Sequence, residues 1–276
     1  MIVNFDGTFL PAAEARLPIN DGAVLFGDTL FETLKAHETA IRYLEQHLDR
    51  IEHSCRLLDM PFNRRRVCEA LLATAARLRS PCSRLRLTVS RGPFASLAFP
   101  AAERGHFILT ATPYAEPTDD ERRRGARCVF APNRRVNPLS HLPQMKRGNY
   151  ADCLYAANFA RERGAREALF VSETGQVLEG ATSNLFIVQG KTLVTPPAGQ
   201  RVLDGILRRQ VLDSAHRLGM IAEEREIEVE ELLAADEAFL TNALIDILPI
   251  ASIENHRISQ GPVTHSLRNR LHPGTE

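Results

Sequence analysis

His141-Leu142-Pro143-Gln144-Met145-Lys146-Arg147-Gly148-Asn149-Tyr150 is the stretch on which the fold assignment turns. It holds one of three lysines in a chain that carries thirty-one arginines. Arginine replaces lysine at almost any surface cation. It does not replace lysine where a neutral amine must attack a carbonyl, because guanidinium stays protonated and an amine in apolar surroundings can lose its proton. Lys146 lies beside Met145 and close to Leu142 and Pro143, just before a helix pattern. It is either a snorkelling side chain or a desolvated amine. Lys191 follows Gly190 at a hairpin tip, where a solvated charge is expected. Lys35 ends the alternating segment 30–35 and faces solvent or a cleft.

On the C-terminal side of this stretch, the pattern predicts a helix over 151–163, stopped by Gly164. Strands follow at 168–171, 177–179, 185–188 and 192–194. A helix over 206–218 ends at Gly219, with a short helix at 229–234 and a strand at 237–241 after it. On the N-terminal side, 127–131 is a strand. Before it, 2–5 and 8–10 form a hairpin across Asp6-Gly7, and 30–35, 84–90 and 106–112 are strands. Helices cover 44–58 and 67–78; in the first, Leu44, His47, Leu48, Ile51, Cys55 and Leu58 recur at helical spacing. The expected fold is α/β (α+β) in two domains: a smaller N-terminal domain 1–114, a linker 115–124, and a larger domain 125–276 that carries Lys146.

Composition narrows the function classes. The 276 residues are 44% hydrophobic and 25% charged, with a formal net charge of zero, so no broad field attracts nucleic acid or acidic membranes. The runs Arg64-Arg65-Arg66 and Arg122-Arg123-Arg124 are read as solvated faces or loops. Five scattered cysteines without a CxxC pair, and histidines without a ligand pattern, indicate neither a disulfide framework nor a metal site. Residues 238–253 are apolar but broken by Asn242, Asp246 and Pro249, so no membrane span is expected. The start shows no signal-peptide pattern, and a cytoplasmic location is expected.

Three further positions can do chemistry. Gly205, with Ile206 and Leu207 opening a helix behind it, offers free backbone amides and a helix dipole to a phosphate. Glu179, in Val177-Leu178-Glu179-Gly180-Ala181-Thr182-Ser183-Asn184, needs a partner if buried: a protonated ring nitrogen, or an arginine from its own domain. Arg50 either holds a phosphate bidentately or forms an exposed ion pair with Asp49 or Glu45.

In order and spacing these positions resemble the class IV aminotransferase family of fold-type IV pyridoxal-phosphate enzymes. The resemblance runs from Phe26-Gly27-Asp28 to Pro249. It rests on Met145-Lys146 through Asn149-Tyr150, Glu179-Gly180, Ser183-Asn184-Leu185-Phe186, Thr195-Pro196-Pro197 and Leu203-x-Gly205-Ile206-x-Arg208. It implies pyridoxal 5'-phosphate as cofactor, in a cleft between the two domains, bound to Lys146 as a Schiff base. It further implies that Glu179 pairs with the ring nitrogen and that Arg50 holds the phosphate together with the amides of Ile206 and Leu207. Ser183 and Asn184 would line the same end of the pocket beside Gly205, and Leu203 would pack on the ring. Members are typically homodimers whose active site borrows a loop from the neighbouring subunit.

The family holds aminodeoxychorismate lyases and branched-chain and D-amino acid aminotransferases, which share this machinery. The loop after Arg91-Gly92 lacks the arginine–histidine pair that the D-amino acid enzymes carry, and Phe31 stands where they tend to have tyrosine. Lys35 stands where branched-chain enzymes usually have arginine. Leu207 and Ala243 occupy positions where both aminotransferase groups tend to place threonine. Asn242-Ala243-Leu244 resembles the lyases, whereas Tyr150 and the tail 261–264 resemble aminotransferases. The expected activity is therefore conversion of 4-amino-4-deoxychorismate to 4-aminobenzoate and pyruvate. The alternatives are transamination to a 2-oxo acid and a non-catalytic cofactor-binding member. Phe31, Lys35, Arg91, Tyr150, Asn242 and Ala243 are the candidate substrate residues, with Arg42 a further carboxylate candidate.

Overall fold

The computed structural model describes residues 1–271, and the chain divides into two compact units. The first holds Met1–Glu116 together with Met145–Tyr150. The second holds Pro117–Gln144 and the chain from Ala151 onward. Lys146 thus belongs with the first unit and not, as expected, with the second. The amide of Phe31 donates to the carbonyl of Lys146 (2.8 Å) and that of Gly148 to Thr29 (2.7 Å), so the stretch is stitched to an edge of the first unit's sheet.

In the first unit the elements are β1 (Ile2–Phe5), β2 (Thr8–Leu10), α1 (Gly22–Leu25), β3 (Thr29–His37), β4 (Ala40–Ile41), α2 (Leu44–Leu57), α3 (Arg64–Ala75), β5 (Cys82–Ser90) and β6 (His106–Pro113). The six strands run in the order β2-β1-β6-β5-β3-β4, each neighbouring pair antiparallel. Helix α2 buries His47, Leu48, Ile51, Ser54 and Cys55, one face at helical spacing, and packs on β3. Helix α3 starts three residues before the expected 67, because the Asn63 side chain caps it by accepting from the amide of Arg66. The Arg64-Arg65-Arg66 run becomes its first turn, and Arg64 pairs with Glu45, Asp49 and Glu52 on α2. Because β4 covers only the far end of β3, the near end stays open to the Lys146 stretch. Gly148 makes that approach possible, since a Cβ there would stand 1.8 Å from Thr29 Oγ1.

The second unit continues with α4 (Asp119–Arg124), β7 (Ala126–Phe130), α5 (Ala151–Glu162), β8 (Glu167–Val171), β9 (Gln176–Gly180), β10 (Asn184–Gln189), β11 (Thr192–Thr195), α6 (Ile206–Arg217), β12 (Ile221–Glu224), β13 (Ile227–Glu228), α7 (Val229–Leu233), β14 (Glu237–Asn242), β15 (Asp246–Ile253), β16 (His256–Arg257) and α8 (Pro262–Leu271). Its sheet order is β12-β11-β10-β14-β15-β7-β8-β9-β13, with β16 on β15. The pairs β11–β12, β15–β7 and β7–β8 are parallel. Alternation along β10 and β14 builds two cores. Leu185, Ile187 and Leu240 face one way. Phe186, Val188 and Phe239 face the other, under Val211 and Ala215 of α6 and Leu267 of α8.

Two expectations fail here for local reasons. Residues 119–124, read as linker, form α4, because Thr118 and Glu121 close a capping box and the helix runs from acidic to basic. Arg122 is not solvated: it is buried and donates to the carbonyls of Ile245 (2.8 Å) and Ile247 (2.6 Å). The second is β15, which the sequence pattern hid behind Pro249. That proline faces Phe239 in the β14 ladder, and the pairing with β7 begins at Ile250, one residue beyond it. Among the described residues no helix is long and apolar enough to cross a membrane.

Candidate active site

In the first unit, the Lys146 amine lies 4.7 Å from the centre of the Phe31 ring. Arg86, on the adjoining strand β5, stacks its guanidinium on the same ring at 3.8 Å. Tyr150 meets the ring edge-on at 5.4 Å. Burial lowers the pKa of Arg86 from its ordinary value; Tyr150 opposes the shift, and Arg84 adds to it. Among the described residues no carboxylate pairs with Arg86, which suits it to an incoming anion. An amine, a guanidinium and two aromatic rings therefore share one face of the sheet. Arg86 was not among the sequence candidates. Its signal was faint: an arginine at an alternating strand position, level with Thr33 in the β3 ladder.

The arginines and lysine that were candidates are committed elsewhere. Lys35 is buried and bonded to Glu116 at 2.6 Å. Arg91 is buried and bonded to Asp28 and to the carbonyls of Leu58 and Asp59, where it ties a loop together. Arg42 lies over the Tyr43 ring. His37, Cys82 and Glu116 bring three donor atoms within 4.8 Å of one another, a grouping their spacing in the chain does not suggest. The Lys35 ammonium already supplies a cation beside Glu116.

On the opposite face of β3, Glu32 is buried and bound by Arg50 through two bonds of 2.7 and 2.6 Å. His47 meets the same carboxylate at 2.7 Å. Burial would raise the Glu32 pKa, but Arg50 and His47 outweigh it and hold the acid at about 2. Burial pushes His47 down, against the pull of Glu32. The partner of Arg50 is thus Glu32, neither Asp49 nor Glu45. A charged residue inside the apolar strand pattern of 30–35 was the signal available.

In the second unit, Glu179 on β9 is the hub. Its Oε1 accepts from Arg135 at 3.0 Å, and its Oε2 from the Leu203 amide at 3.1 Å and Asn184 Nδ2 at 3.3 Å. The arginine from its own domain, one of the two partners the sequence left open, is present. Arg135 also binds Asp152, at the start of α5, at 2.7 Å. Burial works against the charge on Arg135, but Glu179 and Asp152 contribute to raising it above its ordinary value. Asn184 further donates to the Leu203 carbonyl (2.9 Å) and fills the space beside Gly205, where a Cβ would come within 2.0 Å of Asn184 Oδ1. Gly205 opens α6 without a side-chain cap, and Ile206 and Leu207 are buried there. Ser183 turns to Glu167 (2.9 Å), which also takes the Thr182 hydroxyl (2.7 Å). Asn242 spends its side chain on the amides of Leu244 and Ile245 and the carbonyl of Thr182, shaping the turn that carries Ala243.

Each unit carries groups of the kind that pyridoxal phosphate needs: the first offers the Lys146 amine, and the second a carboxylate at Glu179 and an anion site at the uncapped start of α6. Residues 29–253 match the model of amino-transferase class IV, and the chain belongs to that family, whose members use pyridoxal phosphate. It is similar to a putative branched-chain-amino-acid aminotransferase of Methanocaldococcus jannaschii, 28% identical over 98% of this chain and 95% of that one. It is also similar to aminodeoxychorismate lyase of Bacillus subtilis, 26% identical over 97% and 92%. A solved 4-amino-4-deoxychorismate lyase from Pseudomonas aeruginosa superposes with a TM-score of 0.87 at 30% identity, covering 99% of each chain. The protein is thus a two-domain, fold-type IV pyridoxal-phosphate enzyme.

Proposed function

We propose that the protein is an aminodeoxychorismate lyase, releasing pyruvate from 4-amino-4-deoxychorismate and leaving 4-aminobenzoate. The observation that supports this reading is the Phe31 face. An amine 4.7 Å from an aromatic ring, with a guanidinium on that ring at 3.8 Å, suits a flat, anionic, ring-shaped amine. Leu207 and Ala243 also lack the hydroxyls that the aminotransferases tend to carry at these positions.

When bound, the cofactor supplies an electron sink for a carbanion at the substrate's amine-bearing carbon. The chain's own residues do the rest. Lys146 would hold the cofactor and supply the amine that takes a proton from that carbon. Glu179 keeps the ring nitrogen protonated. The amides of Ile206 and Leu207 would hold the phosphate, with Arg50, which Glu32 orients, as its cation; Asn184 and Leu203 fix Glu179, and Ser183 braces their turn through Glu167. Arg86 anchors a substrate carboxylate, and Phe31 and Tyr150 wall the ring. The protein works in the cytoplasm as a homodimer. In support of the dimer, Ile19, Val24, Leu25 and Phe26, on and around α1, and Leu97 and Phe99, on the loop after β5, are exposed; the two segments bond to each other through Asn20 and Phe94, an apolar area suited to a second copy.

The second reading is transamination of an amino acid, favoured by the Methanocaldococcus jannaschii relative. Two assays separate them. Aminodeoxychorismate should release pyruvate, whereas D-alanine or L-leucine with 2-oxoglutarate should yield little glutamate. Replacement of Arg86 by glutamine should raise KM for aminodeoxychorismate about tenfold or more with a smaller loss of kcat. Fast glutamate formation without pyruvate release would overturn the lyase reading. Sedimentation as a monomer would overturn the dimer.

A further inference from the structure

We propose that Asp152 and Arg135 are positioning residues which together set how fully the cofactor's ring nitrogen is protonated, acting through Glu179. The proposal rests on the assignment of Glu179 to that nitrogen. Glu179 is already satisfied by three donors, one of them charged: Arg135, the Leu203 amide and Asn184. Arginine keeps its proton, so Arg135 and Glu179 by themselves form a neutral pair. A neutral pair gives a ring nitrogen little reason to hold a positive charge. Asp152 changes the sum. It binds the other side of the same guanidinium at 2.7 Å and also accepts from the amides of Val136 (3.0 Å) and Cys153 (2.9 Å). Asp152 therefore draws on the same guanidinium that Arg135 presents to Glu179, and leaves Glu179 the stronger base toward a ring nitrogen.

The cluster is shielded enough for this sum to matter. The Arg135, Glu179 and Asp152 side chains are 4%, 6% and 9% exposed. The charged and titratable groups bonded or coupled to Arg135 come from two further elements. Arg135 lies in the loop after β7, Glu179 on β9, and Asp152 and the Cys153 thiol at the start of α5; Asn184 reaches in from β10 as a neutral donor. Burial works to raise the Asp152 pKa, but the Val136 amide and Arg135 outweigh it, so the acid stays ionised. Glu179 faces the nitrogen, Arg135 weakens it as a base, and Asp152 offsets Arg135.

This division of labour predicts shifts of opposite sign. Wild type and variants are loaded with pyridoxal phosphate carrying nitrogen-15 in the ring, and the nitrogen chemical shift is followed against pH. Asp152→Asn keeps the shape and removes the offsetting charge. It should lower the apparent pKa of the ring nitrogen by about one unit. Arg135→Gln should raise it, and Arg135→Lys should return it toward wild type. Should Arg135→Gln fail to fold, Asp152→Asn and Arg135→Lys still decide the matter. Variants that titrate like wild type, or that all shift the same way, overturn the proposal while leaving the cofactor assignment standing. A wild-type protein that takes up no cofactor, or a Glu179→Gln variant whose ring nitrogen titrates like wild type, overturns the assignment of Glu179 and this proposal with it.

Discussion

Replacing Glu32 with glutamine should cost the first unit about 3 kcal/mol, and that cost should fade in acid. The magnitude follows from the carboxyl's own shift. Its pKa falls from an ordinary 4.5 to about 2, and at 1.36 kcal/mol per unit this corresponds to about 3 kcal/mol favouring the folded, ionised form. Breaking a buried ion pair by removing one partner typically costs about 3–5 kcal/mol, which agrees. Glutamine keeps the shape but leaves Arg50 and His47 against a neutral amide. Because the folded pKa is depressed, the stabilisation is complete well above the unfolded value of 4.5 and is lost as pH falls from there toward about 2. Urea unfolding of both proteins, followed by circular dichroism near neutral pH and again at about pH 3.5, should show the difference shrink by roughly 1 kcal/mol. A difference below about 1 kcal/mol at neutral pH, or one that does not change in acid, would refute the reasoning.

Three other outcomes can be checked directly. Gly205→Ala should push Asn184 off the Leu203 carbonyl and Glu179, two bonds at about 1 kcal/mol each, and lower Tm by about 5 °C; an unchanged Tm would show that Asn184 has room to move. Glu167 is pushed up by burial against its hydroxyl and amide donors, so its contribution is present below its ordinary 4.5 and declines as pH rises through its folded pKa. Glu167→Gln should therefore be at least as stable as wild type at mildly alkaline pH, and a Tm deficit that grows with pH would contradict this. Lys146→Arg should keep the fold and the charge but lose the cofactor bond. Borohydride should then leave no cofactor attached, and full turnover by this variant would exclude Lys146 as its anchor.

Much of the architecture was legible because it is written locally. Hydrophobic periodicity placed α2, α5 and α6 within a residue or two, since each needs one apolar face and a stop signal such as Gly164 or Gly219. Where a local cue was subtle, the boundary moved: the Asn63 cap lengthened α3 toward the Arg64 run, and a capping box turned a charged linker into α4. Strand β15 was missed because proline argues against a strand, and where Pro249 falls relative to the β7 pairing is a property of the sheet.

The sequence by itself determined the family and singled out the candidate groups for its chemistry. Lys146, Glu179 and the Gly205 turn are recognisable because their residue types cannot be exchanged: a titratable amine, a carboxylate, and a helix start without a side chain. Only the tertiary structure decided their company. It moved Lys146 onto the edge of β3, gave Glu32 to Arg50, and surrounded Glu179 with Arg135 and, through it, Asp152. It also tied Lys35 to Glu116 and Arg91 to Asp28, and set Arg86 on the Phe31 ring. The reason is physical. A charge buried in low dielectric must find its counter-charge, and that partner is chosen by distance across strands and helices rather than along the chain.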